Sequence, residues 1–250
     1  MKVILSKNKI ISIVSILVLI LIWKIISLIY NSDIILPSPE FTLLTTGKLI
    51  ISKGFVKIIS ITILRGLIGF GISFILGIII GILAGVNQSF YAFLSPILVA
   101  VRSVPIVSII LLALIWFKSD FVPVFIALLT MFPFICTNII DGIRNVDKEL
   151  IQMSEFYKIP QLTIIKDVYI PAITPFIFSG ASSAMGFGWR AIIIGEVLSQ
   201  PQFGIGTFMH SAQTYLLVNE LIAWTIIAVV ISYIFEIILR KIEKNIIIWK

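Results

Sequence analysis

Four charged residues interrupt long apolar runs of this sequence, and their side chains are the first candidates for chemistry. They are Arg65, Arg102, Arg190 and Glu196. A guanidinium among apolar groups requires a carboxylate partner, water or an anionic ligand, because an unpaired charge loses its hydration there. Arg190 therefore predicts either attraction of small anions into a polar pathway or a salt bridge to Glu196 of a neighbouring helix. Glu196 is interpreted as a packing or gating partner.

The other two arginines have simpler interpretations. Arg102 precedes Pro105, which removes a backbone hydrogen bond and is expected to kink its helix and free carbonyl groups near a pathway. A structural role is favoured for Arg102. Arg65 lies close enough to the start of its apolar run to extend its guanidinium to a membrane surface. The candidate pathway or gate residues are thus Arg102, Pro105, Arg190 and Glu196.

The sequence lacks the common catalytic motifs. It has no Gly-x-Ser-x-Gly or His-Glu-x-x-His motif and no convincing pair of acids. Its single histidine, His210, and its single cysteine, Cys136, cannot build a metal cluster together. A Gly-x-x-x-x-Gly-Lys-Ser/Thr loop for nucleotide phosphates is also missing. We expect no enzymatic activity, no cofactor and no metal in this chain.

The composition places these residues in a membrane. Hydrophobic residues make up 59% of the 250 positions and charged residues 12%, whereas about one quarter of a soluble protein is charged. The net charge of +7 is spread over chain ends and short loops, which argues against a nucleic acid-binding face. The chain is therefore predicted to be an integral membrane protein without a separate soluble domain.

Six apolar segments are long enough to cross a bilayer as helices, since a span needs about 20 residues. The sequence therefore predicts an all-α, polytopic fold. Basic residues precede the first segment and follow the last, and they are concentrated in the loops on that same side, so both termini are predicted to be cytoplasmic. Lys24 is expected to extend to the outer interface. The predicted spans are 10–30, 58–85, 91–117, 121–142, 172–199 and 217–239.

Two of these spans carry small residues at every fourth position, which lines them up along one helix face. Such a face lets a second helix approach closely. Tight packing explains both series, and a pathway lining is an alternative for the fifth span. The two series are Gly77, Gly81 and Gly85 in the second span and Gly180, Ala184 and Gly188 in the fifth.

The segment 145–171 between the fourth and fifth spans is unusually polar. Asp147 is predicted to cap a short helix that ends near Tyr157. Pro160 suits the first position of a second short helix, and Pro171 and Pro175 mark the return to the membrane. An apolar stripe on this second helix must cover the protein's own surface or lipid, or fit a groove of another protein. The stripe consists of Leu162, Ile165, Val168 and Tyr169.

Four stretches of the sequence carry a resemblance to a known family: "LPSP" at 36–39, "VDKELIQMSEFYKIPQLTIIKDVYIPAITP" at 146–175, "GFGWRAIIIGEVL" at 186–198 and "IGTFMHSAQ" at 205–213. In these stretches the chain resembles the permease subunit of bacterial ATP-binding cassette (ABC) importers, in the branch that includes nitrate, sulfonate and taurine permeases. The resemblance implies a type I importer permease fold and a cytoplasmic coupling helix-turn-helix that docks on an ATPase subunit.

The family's coupling motif reads approximately Glu-Ala-Ala, three residues, Gly, and then an apolar residue before Pro. Alignment on Ile170 and Pro171 places a Gln-Met-Ser triplet at the Glu-Ala-Ala positions and Lys158 at the glycine. The chain therefore lacks the family's glutamate and must form the turn without glycine. The ATPase-coupling residues implied by the resemblance are Asp147, Gln152, Met153, Ser154, Tyr157, Lys158 and Pro171.

The resemblance also implies the partners of this chain. Two permease copies, expected as a homodimer, would form the pathway in the bacterial cytoplasmic membrane, and two ABC ATPase subunits and an extracytoplasmic solute-binding protein would complete the importer. Residues 1–35 would be an N-terminal anchor and 36–250 the permease domain. A small solute, such as a sulfonate, taurine or nitrate anion, would move inward by alternating access. The alternatives are a secondary transporter or channel driven by an ion gradient, and a scaffold for a membrane enzyme complex.

Overall fold

Helices form all the regular structure of the described chain. The structure is a computed structural model that describes residues 2–246, with side chains from residue 10 onward. Every regular element in this range is helical, which confirms the all-α prediction. The three basic residues that precede the first predicted span, Lys2, Lys7 and Lys9, lie outside the described side chains.

The described chain forms eleven α-helices, and a π-helical segment at Ile165–Tyr169 joins α8 to α9. The helices are α1 (Lys2–Tyr30), α2 (Pro39–Ile51), α3 (Phe55–Val86), α4 (Gln88–Ser103), α5 (Ile106–Trp116), α6 (Val122–Arg144), α7 (Lys148–Phe156), α8 (Gln161–Ile164), α9 (Ile170–Ser199), α10 (Ile205–Thr214) and α11 (Val218–Ile246).

Five helical segments of the described chain are long and apolar enough to cross a bilayer, and α4 with α5 makes a sixth if the two count as one span. Four of the single segments, in α1, α3, α6 and α11, overlap predicted spans, and the fifth runs from Gln161 to Ser199 through α8 and α9. The predicted third span, 91–117, is different because its two halves meet at an angle of 96°. It cannot be drawn as one straight helix.

Pro105 explains where the third predicted span breaks. A residue before proline is driven out of the helical region by contact with the proline ring, and Val104 adopts φ −69° and ψ 131°. Pro105 itself has ψ 125° and caps α5. The expected kink is therefore confirmed, and it is a complete interruption of the helix.

The small residues of α3 pack against isoleucines of α6. A Cβ atom built on Gly77 would lie 2.7 Å from Cγ2 of Ile135, and one on Gly81 would lie 2.9 Å from Cβ of Ile139. Gly85 meets Ile143 in the same way, at 2.7 Å from its Cδ1 atom. Each glycine thus accommodates one isoleucine, and the packing interpretation of this series is confirmed.

Helix α9 lies at the centre of the fold, where it contacts α3, α5, α6, α10 and α11. Its own small-residue series is buried: Gly180 faces Asn138, and Gly188 faces Met131. Ala184 is also fully buried. This face packs against α6, so it is not the face that lines a pathway in this chain.

Helix α1 stands at the edge of the bundle. Its end is tied to α2 by a salt bridge from Lys24 to Glu40, with 2.8 Å between Nζ and Oε2. Trp23 also donates its indole hydrogen to the carbonyl oxygen of Pro37 at 3.1 Å. Lys24 was expected to extend to the interface, and the salt bridge gives its ammonium a specific partner there.

Candidate functional site

The polar segment 145–171 begins as predicted. The carboxylate of Asp147 accepts a hydrogen bond from the backbone N–H of Glu149 at 2.8 Å and so caps α7. The helix ends at Phe156, with Tyr157 as its C-terminal cap. The first half of the segment is therefore a capped helix of nine residues.

Lys158 forms the turn between α7 and α8 in the left-handed backbone conformation. Its φ is 54°, which glycine adopts freely and other residues adopt at a cost of about 1 kcal/mol or more. The resemblance places a glycine at this position, so the backbone fits the family's glycine although the side chain does not. Pro160 was predicted at the first helical position. It is instead the N-cap of α8, with φ −56° and ψ 138°, and the helix begins one residue later, at Gln161.

One side of the segment 145–171 is buried against the bundle. Ser154 is buried and donates its hydroxyl hydrogen to the carbonyl oxygen of Leu150 at 2.7 Å. Ile164 is also buried, and Val168 and Tyr169 pack against the main core cluster. Two residues of the predicted stripe thus cover the protein's own surface, whereas Leu162 and Ile165 are exposed and left to lipid or to a partner. The π-helical turns at 165–169 shift the helix face, an effect that periodicity does not reveal.

The other side of the segment exposes large apolar side chains. Phe156 is 82% exposed and Leu162 is 81% exposed. The rings of Phe156 and Tyr157 meet edge to face, with centroids 5.6 Å apart. Gln152 and Met153, two of the aligned triplet residues, are exposed as well. We define the docking patch as Leu150, Met153, Phe156, Tyr157 and Leu162.

A buried ionic network joins three parts of the chain at the other end of α9. Glu196 is fully buried, and its Oε1 atom accepts a hydrogen bond from Nη1 of Arg65 at 2.7 Å. The same Nη1 atom donates to the carbonyl oxygen of Phe203 at 2.7 Å. Nη2 of Arg65 reaches the carboxylate of Asp120 at 2.6 Å. Arg65 therefore links α3 to the loops that precede α6 and α10.

Glu196 has further partners besides Arg65. Its Oε2 atom accepts a hydrogen bond from the backbone N–H of Gly206 at 2.9 Å, and the hydroxyl of Thr62 lies 3.0 Å from Oε1. The Thr62 hydroxyl in turn accepts from the backbone N–H of Ile205 at 2.9 Å. The network fixes the start of α10 against α3 and α9 by satisfying a buried carboxylate.

This network corrects two expectations. Arg65 does not extend to the surface, since its side chain is only 7% exposed. Glu196 has no free oxygen for Arg190, because both oxygens are occupied within its own chain. The sequence does not show the pairing, as Arg65 and Glu196 are 131 residues apart. Thr62, one helical turn before Arg65 in an apolar run, was the available signal for a buried polar site. The interpretation that Arg65 extends to the membrane surface missed this signal.

Arg190 lies on the opposite face of α9 from the packed small residues. It is exposed and lines a cavity of about 310 Å³ with Ser182, Ser183 and Ser232. A second cavity, of about 440 Å³, also includes Arg190 and extends along α11. The structure therefore brings Arg190 together with serines and separates it from Glu196.

Arg102 lies beside the break between α4 and α5. It is exposed and lines a cavity of about 280 Å³ that also contains Phe134 and Phe187. The rings of these two phenylalanines stack with centroids 4.7 Å apart. Phe187 lines the Arg190 cavity too. Two candidate pathway arginines thus lie in cavities that share one aromatic side chain.

Residues 77–248 match the family model of the binding-protein-dependent transport system inner membrane component. The matched region contains the segment 145–171 and the Arg190 cavity. The chain belongs to this family. It is a multi-pass permease of the inner membrane.

Individual relatives of this permease have related names. It is 30% identical to an aliphatic sulfonates transport permease protein, SsuC, of Bacillus subtilis, over 93% of this chain and 85% of the relative. It is 29% identical to the nitrate import permease protein NrtB of a Synechocystis strain, over 84% of this chain and 78% of that protein. Identity to the taurine transport system permease protein TauC of Escherichia coli is 22%, over 98% and 91% of the two chains.

Two regions of the permease, at opposite ends of α9, are relevant to its family membership. A binding-protein-dependent permease works with an ABC ATPase and with a solute-binding protein. The docking patch is an exposed apolar surface at the end of α9 that begins with Ile170. The buried Glu196 network lies near the end at Ser199. Helix α9 connects the two regions directly.

Proposed function

We propose that this permease is the membrane-spanning subunit of an ABC importer that moves a small oxyanionic solute inward. Two copies of the chain form the pathway as a homodimer, and two ATPase subunits bind beneath them. An extracytoplasmic binding protein delivers the solute. Residues 1–35 anchor the chain, and both termini are cytoplasmic. The substrate class is supported by the names of the sulfonate, nitrate and taurine permeases and by the exposed Arg190.

The observation that carries the proposal is the two-sided coupling segment. One side is buried at Ser154 and Ile164, and the other exposes Phe156 and Leu162 to more than four fifths. Exposed aromatic and aliphatic side chains clustered beside a buried anchor are typical of a protein interface. The proposed ATPase-coupling residues are those implied by the resemblance: Asp147, Gln152, Met153, Ser154, Tyr157, Lys158 and Pro171.

The mechanism follows from the continuity of the backbone. Residues 161–199 form one helical path from α8 through the π-helical segment into α9. Movement of the docking patch by ATPase closure therefore displaces α9, the central helix of the bundle. The displacement switches the exposed polar face of α9 between the two sides of the membrane. Arg102, Pro105, Arg190 and Glu196 are the proposed pathway or gate residues.

The proposal is tested by charge substitution in the docking patch. We expect Tyr157→Glu and Phe156→Glu to abolish copurification of the ATPase and solute uptake, while membrane insertion stays normal. Lys241→Glu, at an exposed position of α11 outside the patch, is the control and should keep both activities. Full uptake with normal ATPase association in the patch variants would contradict the docking role. Uptake that persists without any ATPase would indicate a transporter driven by an ion gradient.

A further inference from the structure

Arg190 lies within the membrane-spanning helix α9 and has no partner among the residues that the structure describes. Of the five arginines, all within the described range, three bind carboxylate, amide or carbonyl oxygens. The other two, Arg102 and Arg190, have no hydrogen-bond acceptor or ion-pair partner among the described residues. Arg190 precedes Ser199, the end of α9, by nine residues, which corresponds to about 14 Å along the helix axis. That distance places its Cα well inside a hydrocarbon layer of about 30 Å.

A charge at this depth needs compensation from water or from an anion. Insertion scales assign a cost of roughly 2.5–3.5 kcal/mol to an arginine at the centre of a span. The surroundings of Arg190 favour water and ligand over lipid, because Ser182, Ser183 and Ser232 line the same cavity. The cavity of about 310 Å³ lies at the lower end of the range for small-molecule sites, about 300–1,000 Å³.

The exposed face of α9 is arranged to leave room beside the guanidinium. Ser182, Gly186 and Arg190 follow one another at intervals of four residues, so they lie along one helix face. A Cβ atom built on Gly186 would meet nothing within 4 Å. By contrast, a Cβ atom built on Gly188, on the packed face, would overlap the side chain of Met131. The space next to Arg190 is therefore open because this face of α9 points away from α6.

One acidic side chain lines the cavity, and it is already paired. Glu236 accepts hydrogen bonds from Arg240, at 2.6 Å from Nη2 and 3.0 Å from Nε to Oε1. Its negative charge is thus balanced one helical turn away. No salt bridge joins Glu236 to Arg190 in the described chain, where the limit for such a pair is 4.0 Å. The positive charge of Arg190 remains available to a ligand.

We infer that Arg190 is the oxyanion-binding residue of the permeation pathway, with the hydroxyls of Ser182, Ser183 and Ser232 as additional donors. This inference rests on the proposed function and names the site at which it selects its solute. A guanidinium presents parallel N–H groups that match two oxygens of a sulfonate or nitrate group. Serine hydroxyls complete the hydrogen bonding without adding charge. The site therefore takes small solutes that carry a compact oxyanion group.

The test uses the full permease in membranes and charged thiol reagents as probes. Ser183→Cys introduces a thiol into the cavity, and the native Cys136 is fully buried and serves as the blank. Two methanethiosulfonates of similar size are compared, one with an anionic sulfonatoethyl group and one with a cationic trimethylammonioethyl group. Ethanesulfonate is added as a competing oxyanion. The measured quantities are the modification rates and their ratio.

We expect the anionic reagent to be favoured at Ser183→Cys, and the ratio of anionic to cationic rates to fall roughly tenfold when Arg190→Gln is added. Arg190→Lys, which keeps the charge, should retain most of the ratio. Ethanesulfonate should slow modification only when residue 190 is basic. Lys241→Gln is the matched control and should leave the ratio unchanged. An equal ratio with and without Arg190, or no protection by ethanesulfonate, would overturn the inference.

Failure of the inference can be told apart from failure of the proposed function. The labelling needs no ATPase, so it decides the oxyanion site even if no ATPase copurifies with the permease. In the reconstituted transporter, Arg190→Gln should reduce ethanesulfonate uptake at least tenfold, while ATP hydrolysis stimulated by the binding protein is retained. Normal ethanesulfonate uptake by Arg190→Gln would also overturn the inference and leave the proposed importer intact.

Discussion

Nη1 of Arg65 lies 2.7 Å from Oε1 of Glu196, and both side chains are buried in the bundle. The pair connects α3 to the end of α9, and Gly206 and Thr62 satisfy the remaining acceptor sites of the carboxylate. A buried pair of this kind need not add net stability. Removal of Arg65 leaves the buried carboxylate of Glu196 without a cation, whereas removal of Glu196 leaves Arg65 with Asp120 as its carboxylate partner. The pair therefore predicts strong, coupled effects of mutation.

Single substitutions in this pair should be destabilising. We expect Arg65→Met to lower the free energy of unfolding in detergent by about 3–5 kcal/mol, and Glu196→Gln, after which Arg65 keeps Asp120, to lower it by less. The double variant should lose less than the sum of the two, with an interaction energy of about 1–3 kcal/mol. Denaturant unfolding of the four proteins in one double-mutant cycle measures this value. Additive effects would contradict a direct interaction.

The contact between α3 and α6 predicts a difference between two glycines of the same helix. Gly77→Ala would place a methyl group 2.7 Å from Cγ2 of Ile135, whereas Gly71→Ala would meet nothing within 4 Å. Both variants gain about 1 kcal/mol of helix propensity, so their comparison isolates the steric effect. We expect Gly77→Ala to be less stable than Gly71→Ala by about 1–3 kcal/mol. Thermal unfolding of both variants provides the measurement, and equal stabilities would contradict the packing.

The left-handed conformation of Lys158 predicts opposite effects of two substitutions. Lys158→Gly removes the strain of φ 54° and should preserve the turn, whereas Lys158→Val should disfavour it by about 1 kcal/mol or more because its side chain is β-branched. We expect ATPase copurification to fall for valine and to be unchanged or improved for glycine. Lys148→Val, on the first turn of α7, controls for loss of charge. A larger loss with glycine than with valine would contradict the turn geometry.

The contact between α1 and α2 should depend on pH. The hydrogen bond from Lys24 holds the pKa of the Glu40 carboxyl below its ordinary value of 4.5. Because the pKa is lowered in the folded state, the stabilisation from the Lys24–Glu40 salt bridge is fully present above the ordinary pKa of the carboxyl. This stabilisation is lost as pH falls through the lowered pKa. Amide hydrogen exchange in residues 31–38 should therefore increase in that acidic range, after correction for intrinsic rates. Glu40→Gln should show the increase already at neutral pH and little further change on acidification.

Much of the architecture is readable from the sequence because hydrophobic length and periodicity are local properties. The apolar runs predicted where the membrane segments lie, Asp147 predicted the start of α7, and Pro105 predicted a kink. The size of the bend at Pro105 was not predictable, since it depends on how α4 and α5 pack against α6. Helices α2 and α10 were also missed because they are short and lie beside spans with stronger signals.

The candidate site also has features that the sequence predicted and features that it did not. Lys158 at the position of a family glycine indicated a special turn, and four-residue spacing indicated the packed faces of α3 and α9. The partners of Arg65 and the outward direction of Leu162 were not available from local pattern. Arg65 meets residues that are 55 to 138 positions away, and a π-helical segment changes the phase of the helix after Leu162.

By itself, the sequence determined that this chain is a polytopic α-helical membrane protein with one polar segment at 145–171, because bilayer thickness and backbone hydrogen bonding leave few alternatives for such apolar runs. Only the tertiary structure decided which charges are paired. Glu196 pairs with Arg65, and Arg190 faces a serine-lined cavity. The pairing depends on which helix faces meet in space. Helix contacts between distant segments set that choice, and no local spacing encodes it.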